Sequence, residues 1–242
     1  MVGADYISQV RFMGGLKSYS YLQTLPVVQH LDKVKTLDFS SSVTFFVGEN
    51  GTGKSTLLEA IAVAFGFNAE GGSRNFRFST NRTHSELYEH ISLSKRAYAS
   101  DGFFLRAESM YNAATYIDEI QATHNYGPVS LHDQSHGESF MAIVQNRFRG
   151  NGIYLLDEPE AALSPMRLLT LLVEMQRLTQ MDSQFIIATH SPILMAFPGA
   201  EIMEFSSDGI RKVSYQETEH YQITKRFLED PQHMLHYLLN NG

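Results

Sequence analysis

Three short runs along the chain are apolar at nearly every position: VTFFVG at 43–48, IYLL at 153–156 and QFIIAT at 184–189. Each is followed by a helix-like segment. The pattern is plainest over 55–65, where Leu57, Leu58, Ile61, Ala62 and Phe65 recur at helical spacing. Short apolar runs alternating with helices predict βα units around a mainly parallel sheet, an α/β architecture. Ser164 before Pro165, and Asp230 before Pro231, predict two helix starts, because a short polar side chain caps free N–H groups and proline fits the first turn. EIMEF, SDG and IRKVSY at 201–215 predict a hairpin near the C-terminus. The stretch 217–241 predicts a final pair of helices that either closes the domain or docks a partner. No linker interrupts the chain, so the expectation is one domain over 1–242 with a subdomain embedded at about 69–150.

Composition narrows the class. The 242 residues are long enough to bury a substantial core, and 43% hydrophobic with 19% charged residues is ordinary for a globular chain. No segment approaches the roughly 20 apolar residues of a membrane crossing, and MVGADYISQVRFMGG lacks a leader's apolar run, so a soluble, cytoplasmic protein is expected. The absence of cysteine excludes disulfides and thiolate-held zinc or iron. A net charge of −7 argues against polyanion binding over the whole surface.

The strongest chemical signal follows the first apolar run. VGENGTGKST contains G-x-x-x-x-G-K-[ST] as Gly48, Gly53, Lys54 and Ser55, a pattern that chance delivers about 0.01 times in such a chain. Here the intervening residues Glu49, Asn50, Gly51 and Thr52 can turn successive backbone N–H groups toward a phosphate. Lys54 adds a compact positive charge, and Ser55, followed by Thr56, offers a hydroxyl to Mg²⁺. The second run, IYLLDEPE, delivers Asp157 and Glu158 to a strand's carboxyl end, where ligands of open parallel sheets bind. Asp157 is then placed to hold the metal and Glu158 to orient or deprotonate a water. The third, QFIIATHSP, brings Thr189 and His190 to the same edge, where an imidazole can donate toward a γ-phosphate. The plainer readings are a strand-end cap for the acids and a helix start for His-Ser-Pro.

These elements, together with QSHGES at 134–139 and in this order, resemble the ABC-type ATPase domain. Ser135 precedes Asp157 by 22 residues, and Asp157 precedes His190 by 33, both close to that family's intervals. GENGTGKSTLLEAIA is similar to the SMC and RecF-like branch. With FNAEGGSRNFRFST, GFFLRAES and ATYIDE, it resembles a group of short soluble predicted ATPases. The resemblance implies a P-loop NTPase with an ABC-like mainly parallel sheet flanked by helices, a small helical signature subdomain, and ATP hydrolysis with Mg²⁺. It also implies a head-to-tail homodimer in which Ser135, Gly137 and Glu138 face the γ-phosphate held by the other copy. A hydroxyl and N–H groups at a helix start suit an oxyanion, while Ser135 with Glu138 also reads as a capping box.

The chain departs from that family in several places. Gln134 and His136 replace the usual leucine and first glycine, and Glu160 to Ser164 replace the usual residues after DEP. No glutamine occupies the metal-sensing loop, where GFFLRAES would instead place Glu108, either as a metal ligand or as an exposed acid. Tyr19 and Tyr21 are the candidates for stacking on adenine, with core packing as the alternative reading. Between 74 and 106, Arg74, Arg77, Arg82, Lys95, Arg96 and Arg106 interleave with Phe76, Phe78, Tyr88 and Tyr98, a weak nucleic-acid pattern against a solvated face. Four functions stay open: an ATPase that drives or gates an unknown effector, a slow nucleotide-dependent interaction module, a nucleic-acid repair or defence ATPase, and, last, a transporter subunit.

Overall fold

The computed structural model describes residues 6–17, 19–73, 85–108, 115 and 130–240. Among the described residues nine strands form two sheets. The smaller is antiparallel, with β1 (Gln9–Phe12) flanked by β2 (Thr36–Asp38) and β4 (Ile91–Ser94). The larger has the order β5 (Asp101–Arg106), β6 (Gly152–Asp157), β7 (Gln184–Ala188), β3 (Val43–Gly48), β8 (Glu201–Ser206) and β9 (Gly209–Val213). All its pairings are parallel except the closing β8–β9 hairpin. The sequence-derived strands, the parallel sheet and the late hairpin are therefore all present.

The central strands read as unbroken apolar runs because both their faces are covered: every residue of β3, β6 and β7 is buried. Alternate side chains feed two separate cores. Phe45, Tyr154, Leu156, Phe185 and Ile187 belong to one, and Phe46, Ile153, Leu155 and Ile186 to the other. The first core is closed by α3 (His136–Arg147) and α4 (Pro165–Thr179), through Phe140, Ile143, Val144, Leu168 and Leu171. The second is closed by α1 (Pro26–Val34), α2 (Lys54–Phe65) and the small sheet, through Val28, Leu31, Leu57, Leu58 and Ile61. Each fully buried large side chain contributes about 1.5–3 kcal/mol. β5, which lies inside the stretch 69–150, is the outer strand of the main sheet.

Two helix starts behave differently. Ser164 occupies the N-cap position of α4 with extended backbone, but its side chain makes no capping bond, so Pro165 alone marks that start. Asp230 does cap: its carboxylate accepts from the His233 N–H at 3.0 Å, opening α7 (Pro231–Asn240). Before these come the short α5 (Pro192–Met195) and then α6 (Glu219–Glu229). No residue of α6 or α7 is buried. Among the described residues no helix is long and apolar enough to cross a membrane.

Candidate functional site

The phosphate loop bridges β3 and α2. Gly53 is the N-cap of α2 with φ +96°, a left-handed conformation that glycine adopts at no steric cost. A Cβ there would also lie 2.3 Å from Val27 Cγ1. Lys54, only 4% exposed, folds back so that its ammonium donates to the carbonyls of Gly48 at 2.7 Å and Glu49 at 2.8 Å. Burial lowers its pKa, opposed by the carboxylates of Glu158, Asp157, Glu160 and Glu49. Glu49 and Asn50 are exposed, Ser55 and Thr56 are half-buried, and a cleft of about 570 Å³ opens beside residues 48–52.

Asp157 ends β6 and is almost wholly buried. Burial pushes its carboxyl up to about 6, although Arg106 and Ser55 favour the charged form. Arg106, from the neighbouring β5, reaches Asp157 Oδ2 at 3.3 Å and Glu59 Oε2 of α2 at 2.6 Å. Asp157 Oδ1 is buried without a hydrogen-bond partner among the described residues. A buried carboxylate oxygen with no donor, on the strand beside a helix-start serine, fits the demands of a hard divalent cation. Ser55 and Asp157 are the residues that would hold Mg²⁺. Among the described residues no group of three or more acids or histidines could cage a metal unaided, so the remaining ligands would be phosphate oxygens and water. Glu108 follows β5 in an exposed turn, where its charge still raises Asp157.

Glu158 adopts φ 49°, ψ 54°, a left-handed conformation rare for a side chain of this size and unusual before proline. Its N–H donates to the Ala188 carbonyl of β7 at 2.9 Å, which helps hold the turn. Glu158 Oε1 then lies 3.7 Å from His190 Nε2. The other ring nitrogen, His190 Nδ1, is 2.9 Å from His220 Nε2 of α6. Burial, and then the charge of Lys54, lower His190 to about 4. Glu160 clamps this turn, accepting from the Thr189 hydroxyl at 2.8 Å and from the His190 N–H. Burial raises its pKa while these bonds oppose the rise.

Ser135, Gly137 and Glu138 form a separate group. Ser135 caps α3, and the reciprocal capping box with Glu138 is complete. The Ser135 hydroxyl donates to Glu138 Oε2 at 2.6 Å, and these bonds hold the Glu138 carboxyl below its usual range. Gly137 is required by close approach, since a Cβ would lie 2.8 Å from the Ala162 carbonyl. Arg167 of α4 touches Ser135 Oγ at 3.4 Å and Glu138 Oε1 at 3.1 Å. Among the described residues no hydrogen bond or ion pair joins this group to the phosphate loop.

Several expectations change. Tyr19 and Tyr21 are not core residues, being 82% and 60% exposed; Leu22 is the buried member of that turn. Arg106 leaves the basic face, because its guanidinium points inward to Glu59 and Asp157. Arg74, Arg77, Arg82, Phe76, Phe78 and most of ATYIDE lie outside the described residues. The sequence reading assigned no role to Glu59, Glu160, Arg167 or His220. Glu160 alone had a local signal, an extra acid just after DEP.

Comparison with known proteins agrees with this geometry. An AAA-domain family model matches residues 26–147, half of the chain, and a second AAA-domain model, whose description also names an AbiEii toxin and a type IV TA system, matches 124–196. No curated protein sequence matches. Among solved structures, CbiO1 from Clostridium perfringens, part of the ABC transporter complex CbiONQ, is 18% identical with a TM-score of 0.51, covering 94% of this chain and 96% of that one. The SMC head domain from Thermotoga maritima is 17% identical with a TM-score of 0.44, covering 86% and 98%. With half its length matched by the family model and its parallel sheet shared with CbiO1, this chain belongs to the AAA-domain family and has an ABC-type ATPase fold.

Proposed function

We propose that the protein binds ATP with Mg²⁺ and hydrolyses it at a composite site between two copies of the chain, using the cycle to drive or gate an effector. The observation that carries this reading is the convergence of Lys54, Asp157, Glu158 and His190 at the carboxyl edge of β3, β6 and β7. Mg²⁺, held by Ser55 and Asp157, would neutralise phosphate charge. Glu158 takes a proton from the attacking water as its oxygen bonds to the γ-phosphorus and the bond to the ADP oxygen breaks. His190 donates toward the γ-phosphate. Catalysis of this kind is mainly positioning and charge stabilisation.

Ser135, Gly137 and Glu138 serve the partner's nucleotide. Light scattering of Glu158→Gln with and without Mg-ATP, alongside the same protein carrying Ser135→Arg, tests this. A dimer that forms only with ATP and is lost with the arginine is the expected result. A protein that stays monomeric with ATP bound would reduce QSHGES to a helix cap and leave a monomeric switch.

The pKa of Asp157 gives a second test. A metal binds only the carboxylate, and about three-quarters of a group titrating near 6 is protonated at pH 5.5. Mg-ATP binding is therefore expected to be about fourfold weaker at pH 5.5 than at pH 7.5, with protons released at the lower pH. Calorimetry in two buffers of different ionisation enthalpy measures both, and Asp157→Asn subtracts the nucleotide's own titration. Identical profiles in the two proteins would remove Asp157 from the metal site.

A slow nucleotide-dependent interaction module is the second reading, favoured by the Ser135 hydroxyl being already engaged with Glu138 and Arg167.

A further inference from the structure

His220 lies in the first turn of α6, thirty positions beyond His190, yet the two rings meet: Nδ1 of one is 2.9 Å from Nε2 of the other, with ring centroids 5.0 Å apart and planes at 53°. The turn that carries His220 is firmly seated. Thr218, fully buried, caps α6 by accepting from the Tyr221 N–H at 3.4 Å and donates to the Tyr215 carbonyl at 2.8 Å. Tyr215 and Tyr221 pack ring to ring at 4.5 Å. Glu217, Glu219 and Gln222 of the same turn wall the cleft beside the phosphate loop.

A bond between two imidazoles needs one donor and one acceptor, so it selects between two arrangements. In one, His190 Nδ1 donates, leaving His190 Nε2 with a lone pair aimed at the Glu158 carboxylate, acceptor against acceptor at 3.7 Å. In the other, His220 Nε2–H donates, His190 Nδ1 accepts, and the His190 proton sits on Nε2, facing Glu158 and the space beside it. His190 Nε2 is buried and has no hydrogen-bond partner among the described residues, so a donor there is held ready for an incoming oxygen. Burial lowers the pKa of both rings, which favours their neutral forms.

We infer that His220 is a positioning residue: its Nε2–H holds His190 in the Nε2–H tautomer, so that α6 sets the donor that meets the γ-phosphate. The inference rests on the reading of His190 as the γ-phosphate contact. His220 itself touches no reacting atom.

The test pairs a substitution that can still donate with one that can only accept. His220→Gln retains an N–H donor, whereas His220→Glu offers only an acceptor and draws the His190 proton to Nδ1. Nitrogen-15 spectra of the full-length, nucleotide-free protein, assigned with His190→Gln, report the tautomer directly. Wild type and His220→Gln are expected in the Nε2–H form, and His220→Glu in the Nδ1–H form. In steady-state assays His220→Glu is expected to lose about 100-fold in kcat, the scale of one lost transition-state donor, with KM little changed, while His220→Gln stays within about threefold of wild type. An Nδ1–H tautomer in the wild type, or equal losses in Gln and Glu, would overturn the inference. A wild type that hydrolyses no ATP would instead sink the proposed function, and the spectra would still decide what His220 does to His190.

Discussion

Glu158→Gln is expected to lower ATP turnover by about 1,000-fold while nucleotide affinity is retained and the ATP-bound dimer accumulates. The substitution keeps the size of the side chain and removes only its charge and its capacity to take a proton. It should not unfold the turn. The side chain is 37% exposed, its contact is His190 at 3.7 Å, and the left-handed backbone is held by the bond to Ala188 rather than by the carboxylate. The Glu158 charge also helps to raise Asp157, so its removal eases one source of repulsion in the site. Phosphate release measured under single-turnover conditions, with equilibrium binding of a fluorescent nucleotide, checks both halves. Turnover within threefold of the wild type would take Glu158 out of the role of base.

Lys54→Ala is expected to weaken nucleotide binding by about 100-fold or more. The ammonium is the cation within the loop and is surrounded by four carboxylates, those of Glu158, Asp157, Glu160 and Glu49. Without it, the mouth of the loop presents a negative field to a polyanion. Two charge-assisted hydrogen bonds of about 1.5 kcal/mol each correspond to that loss. In the ligand-free protein the same ammonium satisfies the Gly48 and Glu49 carbonyls, so binding exchanges these contacts for phosphate oxygens. Calorimetric titration with ATP measures the loss, and thermal melting shows whether the loop itself has suffered. Unchanged affinity in a folded variant would remove the phosphate-loop assignment.

Legibility in the sequence followed the range of the forces involved. β3, β6 and β7 were visible because burial on both faces leaves an uninterrupted apolar signature, and α2 because its large apolar side chains recur at helical spacing. The small sheet was not visible, since β1, β2 and β4 are three or four residues long and pair residues as far apart in sequence as Gln9 and Ser94. The capping box at Ser135 and Glu138 was legible because it is a local bond with a fixed spacing. Arg106, by contrast, read as part of a basic surface. Only the pairing of β5 with β6, which sets Arg106 beside Asp157, turns it inward. Glu59 and His220 were hidden for the same reason. Their partners lie 47 and 30 residues away, and nothing in a linear pattern announces a tertiary bond between two ordinary polar residues.

The unburied final helices have a mechanical consequence. α6 runs for 11 residues, with the ring contact at His220 in its first turn, a rod about 16 Å long at 1.5 Å per residue. A rod of that length, tilted by about 10° about its seated first turn, would carry its far end about 3 Å.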